Sequence, residues 1–127
     1  MTQKIKGKKY LINGGLGMIG STIASALVKA GAEVTIVDSM IKPFGANLFN
    51  IEKIKNKVKI RTFDIKSIEH MKKEVKNKDV ILNLAGQIAH NDSITNPLYD
   101  AKLNYLYQLN VMECIKQVNP NAKVIFS

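Results

Sequence analysis

The chain has 127 residues, 46% of them hydrophobic, which fits one globular domain with its own core and argues against intrinsic disorder. No apolar run approaches the ~18–20 residues that cross a bilayer, and the charged start lacks the apolar stretch of a secretory signal, so we expect a cytoplasmic protein without membrane contact. The net charge of +9 comes from 19 basic residues spread along the chain, of which only Arg61 is an arginine. This spread favours a solvated surface over a nucleic-acid-binding face, because nucleic-acid readers usually cluster arginine on one element.

The hydrophobic periodicity predicts strands and helices in strict alternation. In chain order we expect a strand at 8–13, a helix at 18–30, a strand at 33–37, a short helix at 47–55, a strand at 58–62, a helix from 67 to about 76, a strand at 79–84, a long helix from 96 to about 118, and a strand at 123–126. Gly31 closes the first helix, Ser67 is expected to cap the third, and Pro97 stands in the first turn of the last. Pro43 and Gly45 break the loop after the second strand.

Alternation of strand and helix implies right-handed crossovers and a parallel sheet. The sequence therefore predicts an α/β fold, a Rossmann-type doubly wound sheet of strand order 3-2-1-4-5 that is truncated after the fifth strand. In such sheets ligands bind at the carboxyl ends of the strands, where the strand order reverses. We expect one domain over 1–127, with no metal site and with the single cysteine, Cys114, as a buried hydrophobe.

A glycine-rich segment, Asn13-Gly-Gly-Leu-Gly-Met-Ile-Gly20, joins the first strand to the first helix. Gly14, Gly17 and Gly20 recur at three-residue spacing. Such glycines allow a tight turn, let the backbone approach a pyrophosphate, and let the helix lie against the strand. The amides at the helix start then face an anion with the helix dipole behind them. A purely structural turn is the competing interpretation of this segment alone.

Asp38 strengthens the ligand-binding interpretation because it ends the second strand, 18 residues after Gly20. A carboxylate there can accept hydrogen bonds from both ribose hydroxyls of an adenosine and repels a 2′-phosphate, which favours NAD over NADP. The alternative is an ordinary turn residue at a strand end. The absence of a Walker lysine pattern disfavours a nucleoside-triphosphate hydrolase.

These motifs resemble the extended short-chain dehydrogenase/reductase family, and in particular the NAD-dependent epimerase/dehydratase group that acts on nucleotide sugars. The family pattern Gly-Gly-x-Gly-x-Ile-Gly is present, with Asn13 where threonine is common. The segments 45–48, 63–65, 83–86 and 96–104 also resemble family blocks. The chain departs from the family at Asn83, where histidine is usual, and over 105–108, where Tyr-Leu-Tyr-Gln replaces Val-x-Gly-Thr.

The resemblance implies NAD as the cofactor and assigns a set of residues to it. These are Gly14, Gly17, Met18, Ile19, Gly20, Asp38, Ser39, Asn47, Asp64, Ile65, Leu84, Ala85, Gly86, Asn104 and Ser127. Asp64 would bind the adenine amino group, with a helix-capping or turn carboxylate as its alternative role. Asn104 would support the cofactor pocket, with an exposed helix asparagine as the alternative. Segment 87–93 would line the substrate side, with no role assigned to Gln87, His90 or Asp92.

The family's catalytic Tyr-x-x-x-Lys pair is expected downstream of this chain, because Tyr99, Tyr105 and Tyr107 are not followed by lysine four residues later. In the family the tyrosine acts as acid and base while the lysine lowers its pKa. We therefore expect an incomplete enzyme without its substrate domain, which binds NAD but contains no catalytic residue. The full protein would oxidise a nucleotide-sugar hydroxyl to a keto intermediate and then epimerise or dehydrate it.

Two other functions stay open at this point. A non-catalytic NAD-sensing protein would use the same fold and would lack the tyrosine–lysine pair throughout. A basic nucleic-acid-binding module would show steeply salt-dependent binding, and the glycine loop with Asp38 makes it the weaker alternative. The unpaired fifth strand also predicts a homodimer through that edge.

Overall fold

The computed structural model describes residues 4–41, 45–86 and 90–127, without the side chains of His90 and Asp92. The expected Pro43 breaker lies outside these residues. In chain order the elements are β1 (Lys9–Asn13), α1 (Met18–Lys29), β2 (Glu33–Asp38), a 3₁₀ helix (Leu48–Lys57), β3 (Val58–Thr62), α2 (Ile68–Val75), β4 (Val80–Asn83), α3 (His90–Thr95), α4 (Pro97–Ala101), a π-helical turn (Lys102–Leu106), α5 (Tyr107–Val118) and β5 (Lys123–Phe126).

The five strands form one parallel sheet in the order β3-β2-β1-β4-β5, which confirms the predicted topology. β1 lies at the centre, and its residue Leu11 is paired with Thr35 of β2 on one side and with Ile81 of β4 on the other. The strand order therefore reverses between β1 and β4, and their carboxyl ends meet at the glycine-rich loop.

Helices cover both faces of the sheet. On one face α2 and α5 pack on β1, β2 and β4 through a cluster that includes Leu11, Val37, Met71, Ile81, Val111 and Cys114. On the other face α1 and the 3₁₀ helix pack through Ile12, Leu16, Ala24, Leu27, Ile36 and Ile51. Neighbouring residues of β1 point to opposite cores because side chains alternate along a strand. The Cys114 side chain is buried, as predicted.

The structure differs from the predictions in the helices after β4 and at the start of α2. The 96–118 helix contains a π-helical turn, and α3 precedes it where a loop was expected. Ser67 stands at the N-cap of α2, but its side chain does not accept a cap hydrogen bond, so the predicted capping is wrong. The Ser67 hydroxyl instead lies 2.7 Å from Nδ1 of His70, and this local contact replaces the cap.

β5 forms one edge of the sheet and pairs with β4. Its side chains Val124, Ile125 and Phe126 are exposed. In the part of the chain that the structure describes, no helix combines the length and apolar character needed to cross a membrane.

Candidate functional site

A cleft of about 480 Å³ opens at the carboxyl ends of the parallel strands, where the strand order reverses. Its walls come from the glycine loop, the ends of β2 and β4, the segment after β3, the π-helical turn and the end of β5. The lining residues are Gly14, Gly17, Met18, Ile19, Gly20, Val37, Asp38, Ser39, Ile41, Gly45, Ala46, Asp64, Ile65, Leu84, Ala85, Gly86, Leu103, Asn104, Gln108, Phe126 and Ser127. Fourteen of the fifteen predicted binding residues are therefore brought together in one place.

The glycine loop is compact because its glycines touch backbone. Gly14 has a φ of 76°, and its amide donates to the Val37 carbonyl at 2.8 Å. A Cβ on Gly14 would lie 2.9 Å from both N and Cα of Ala85, and a Cβ on Gly20 would overlap the Gly14 carbonyl oxygen. Because L-residues rarely adopt this φ and no side chain fits these gaps, β1, α1 and the β4 exit meet only if these positions are glycine.

The start of α1 faces the cleft without a side-chain cap. Gly17 is the N-cap residue, has extended φ and ψ angles of −72° and 173°, and offers no side-chain acceptor. The exposed residues Met18 and Ile19 follow it in the first turn and line the cleft. The first-turn amides of a helix lack intrahelical acceptors and carry the positive end of the helix dipole. An anion in the cleft would supply the acceptors that the chain itself does not.

Asp38 lies directly beside this loop. Its Oδ2 accepts a hydrogen bond from the Leu16 amide at 3.0 Å, and its Oδ1 accepts one from the Met40 amide at 2.9 Å. These two bonds hold the carboxylate at the end of β2, partly exposed to the cleft. A carboxylate has about four acceptor sites. Asp38 therefore keeps acceptor capacity for the hydroxyl groups of a ligand that spans the loop and the strand end.

Asp64 and Asn47 differ in their placement. Asp64 lines the cleft while its Oδ1 accepts from the Lys66 amide at 3.0 Å, so it combines the turn role with a place in the site. Asn47 does not line the cleft, because its Oδ1 accepts from the Phe49 amide at 2.9 Å and caps the 3₁₀ helix. Gly45 and Ala46, from the same family-like segment, line the cleft in its place.

Asn104 is partly buried in the π-helical turn and faces the cleft. Its Nδ2 donates to Oδ1 of Asp100 at 2.9 Å, and its own Oδ1 would lie 3.1 Å from a Cβ built on Gly86. The asparagine is thus held against the segment that follows β4. Asn104 is therefore not an exposed helix asparagine, which was the alternative interpretation.

The prediction omitted seven lining residues, namely Val37, Ile41, Gly45, Ala46, Leu103, Gln108 and Phe126. Among them Gln108 is the buried polar residue. Its departure from the family pattern was the only sequence signal that could have singled it out. Gln87 and the side chains of His90 and Asp92, which were expected on the substrate side, lie outside the described residues.

No three His, Cys, Asp or Glu residues come close enough to hold a metal ion within 4–41, 45–86 and 90–127, where those side chains are described. The polar groups available in the cleft are backbone amides, serine hydroxyls, carboxamides and two carboxylates. This set suits an uncharged or anionic organic ligand with hydroxyl groups better than a bare cation.

Comparison with known proteins places these features in a family. The family model described as GDP-mannose 4,6 dehydratase matches residues 11–127. CDP-paratose 2-epimerase of Salmonella typhi is 30% identical over 94% of this chain and 36% of its own length. The solved epimerase Mth375 of Methanothermobacter thermautotrophicus superposes with a TM-score of 0.84 at 31% identity, over 93% of this chain and 34% of that one.

A further solved structure, the Bordetella bronchiseptica enzyme WbmF in complex with NAD⁺, shares the fold with a TM-score of 0.84 at 24% identity, over 97% of this chain and 36% of that one. The chain spans about a third of the length of the curated relatives that it matches. The chain covers the amino-terminal part of the proteins of this family. Because the family model matches residues 11–127 and the strand order and glycine loop agree with it, the chain belongs to the GDP-mannose 4,6 dehydratase family of NAD-dependent epimerases and dehydratases.

Proposed function

We propose that this chain is the NAD-binding part of a nucleotide-sugar epimerase or dehydratase. One observation carries the proposal: the uncapped amides at the start of α1 and the Asp38 carboxylate open onto the same cleft, joined by the 3.0 Å bond from the Leu16 amide to Asp38. A pyrophosphate on the amides would place the adjoining adenosine ribose beside the carboxylate.

The cleft extends in both directions from that point, as a dinucleotide requires. Ser39, Gly45, Ala46, Asp64 and Ile65, which follow β2 and β3, would hold the adenosine half. Leu84, Ala85, Gly86, Asn104 and Ser127, which follow β4, lie in the π-helical turn or follow β5, would hold the other half. The small residues after β4 leave room beside bare backbone for the nicotinamide. WbmF, which has this fold, is in complex with NAD⁺, and this supports the same ligand here.

Asp38 favours NAD over NADP in this proposal. Its carboxylate would accept hydrogen bonds from the ribose hydroxyls, whereas the 2′-phosphate of NADP would place like charges side by side. The amides of Leu16 and Met40 already hold the carboxylate in position. Little side-chain entropy remains to be lost on binding.

For the whole protein we propose oxidation of a nucleotide-sugar hydroxyl to a keto intermediate, followed by epimerisation or dehydration. NAD supplies the hydride acceptor for that oxidation. The described residues hold and orient the cofactor, while the acid–base tyrosine and its lysine would come from sequence beyond Ser127. The name of the CDP-paratose 2-epimerase relative supports the substrate class.

A non-catalytic NAD sensor on the same fold is the second candidate, because no tyrosine in this chain is followed by lysine four residues later. Sequencing the parent reading frame separates the two. A Tyr-x-x-x-Lys motif downstream supports the enzyme, and its absence supports the sensor. The cytoplasm is the proposed location for either protein.

The cofactor proposal is tested by calorimetric titration of the chain with NAD⁺ and NADP⁺. We expect NAD⁺ to bind at least about tenfold more tightly, and we expect Asp38→Ala to weaken NAD⁺ binding about 10- to 100-fold, since hydrogen bonds to charged groups contribute about 1.5–3 kcal/mol. Asp38→Asn keeps one acceptor oxygen but turns an NH₂ group toward one of the two backbone amides, so it should weaken NAD⁺ binding as well as narrow the preference between the two cofactors. Glu52→Gln removes a charge from the exposed 3₁₀ helix and serves as the matched control. Equal NAD⁺ affinity in wild type and Asp38→Ala would refute the proposal.

A further inference from the structure

Three of the positions at which the sequence departs from the family pattern come together in the folded chain. Asn13 ends β1, Asn83 ends β4, and Gln108 lies in the first turn of α5. They are separated by 70 and 25 residues along the chain, yet all three are buried, with exposed fractions of 0%, 0% and 6%. Buried carboxamides are costly unless they are hydrogen-bonded.

The three side chains form one continuous series of hydrogen bonds, which we call the amide relay. Nδ2 of Asn13 donates to Oδ1 of Asn83 at 3.0 Å, and Nδ2 of Asn83 donates to Oε1 of Gln108 at 2.5 Å. Nε2 of Gln108 then donates to two backbone carbonyls, that of Ala85 at 2.6 Å and that of Leu103 at 3.0 Å.

The direction of the relay follows from its last step. Two carbonyls face the end of Gln108, so that end must be the NH₂ group, since carbonyls cannot donate. Oε1 then faces Asn83, and the same reasoning orients Asn83 and Asn13 in turn. Oδ1 of Asn13, the acceptor at the start of the relay, is left without a partner among the described residues.

The two carbonyls at its end belong to two different segments that line the cleft. Ala85 follows β4 and lies where a Cβ on Gly14 would come within 2.9 Å of its backbone. Leu103 lies in the π-helical turn beside Asn104, which is held against Gly86. π-helical turns inside α-helices are frequent at functional sites. The Gln108 carboxamide therefore holds both the backbone that follows β4 and the π-helical turn.

We infer that Gln108 is a positioning residue for the nicotinamide side of the cleft, and that Asn13, Asn83 and Gln108 act as one hydrogen-bonded unit. The inference depends on the proposed NAD-binding function. Gln108 sets the place of the backbone at Ala85 and Leu103, and through them the spacing between the glycine loop, Gly86 and Asn104. The adenosine side, around Asp38, lies outside the relay.

The test compares the affinities of the 127-residue chain for NAD⁺ and for ADP, measured by calorimetry. ADP has the adenosine and the two phosphates of NAD⁺ but no nicotinamide riboside. Gln108→Glu keeps an acceptor for Asn83 but loses the NH₂ donor, and Gln108→Leu removes every bond of this side chain. We expect either variant to bind NAD⁺ about tenfold more weakly while its ADP affinity stays within about twofold of wild type. Gln117→Glu makes the same chemical change on the exposed face of α5 and is the control.

A pH series distinguishes positioning from general loosening of the fold. Below its pKa the introduced carboxyl of Gln108→Glu carries a proton and can donate to one of the two carbonyls, so NAD⁺ affinity should recover as the pH falls. Above that pKa the carboxylate faces the carbonyls and binding weakens. Wild type and Gln117→Glu should show no such recovery. Circular dichroism at the titration temperature identifies a variant that has unfolded. If a Gln108 variant is unfolded, Asn83→Ala, which breaks the relay one step earlier, takes its place. The same selective loss of NAD⁺ affinity over ADP affinity is then expected of Asn83→Ala.

An unchanged ratio of NAD⁺ to ADP affinity in folded Gln108 variants overturns the inference and leaves the proposed function standing. Failure of the wild-type chain to bind either ligand overturns the proposed function, and the inference with it.

Discussion

Replacement of Gly20 by alanine should destabilise the fold, whereas the same change at Gly17 should not. A Cβ on Gly20 would overlap the Gly14 carbonyl oxygen and lie 2.7 Å from Cα of Gly15. Both neighbours are backbone atoms and cannot rotate aside, so α1 must shift away from the loop. A Cβ on Gly17 meets only the Gly14 oxygen, at 3.5 Å, which is ordinary contact.

The magnitude for Gly20→Ala follows from two opposing effects. Overpacking typically costs about 1–3 kcal/mol, and the better helix propensity of alanine returns about 0.5–1 kcal/mol. From the middle of each range the net loss is about 1.3 kcal/mol, which lowers Tm by roughly 5 °C at an unfolding entropy of about 2.1 cal/mol/K per residue. Gly17→Ala should stay within about 0.5 kcal/mol of wild type, because its φ of −72° suits any residue.

Urea denaturation followed by circular dichroism measures both stabilities, and calorimetry with NAD⁺ measures binding. Gly17→Ala is expected to retain the fold but to lose at least about tenfold in NAD⁺ affinity, since its methyl group would stand where a pyrophosphate approaches the loop. The steric reasoning fails if Gly20→Ala is as stable as wild type, or if Gly17→Ala loses as much stability as Gly20→Ala.

Two further predictions concern a half-buried lysine and the sheet edge. Burial lowers the pKa of Lys78 below its ordinary 10.5, and its Nζ donates to Oγ1 of Thr35 at 3.0 Å. Between the lowered pKa and 10.5 the unfolded chain binds more protons than the folded chain, so the free energy of unfolding of wild type should rise with pH relative to that of Lys78→Met. Urea denaturation of both proteins from pH 7 to 10.5 measures this, and a constant difference between their stabilities would contradict it. The exposed β5 edge should pair with a second copy, giving a mass of about twice 14.1 kDa by light scattering, whereas a concentration-independent mass of a single chain would exclude the dimer.

The architecture could be predicted because it depends on local patterns. Alternating strands and helices imply parallel crossovers, and the glycine-rich loop after the first strand is typical of the doubly wound order 3-2-1-4-5. The glycine spacing from Gly14 to Gly20 and the acid at the end of β2 then locate the cleft at the switch point. Each of these signals lies within about one strand–helix unit, where side-chain chemistry and backbone geometry are directly linked.

Residue type is a weak guide where two local solutions compete. Ser67 was expected to cap α2, but its hydroxyl contacts His70 instead. The Asn47 side chain, which the resemblance assigns to the cofactor, accepts a hydrogen bond from the amide of Phe49. Serine and asparagine side chains bond whichever backbone or side-chain group lies nearest. Residue type alone therefore does not decide between a capping role and a binding role.

The amino-acid sequence by itself determined the strand order, the glycine loop and the acid that follows β2, because periodicity and residue type act over short distances. Only the tertiary structure decided that Asn13, Asn83 and Gln108 share one relay, and that Asp38 accepts a hydrogen bond from the loop. Those contacts depend on strand register and on how α5 lies across the sheet. Residues 70 positions apart meet only after the core has packed, and no local pattern carries that information.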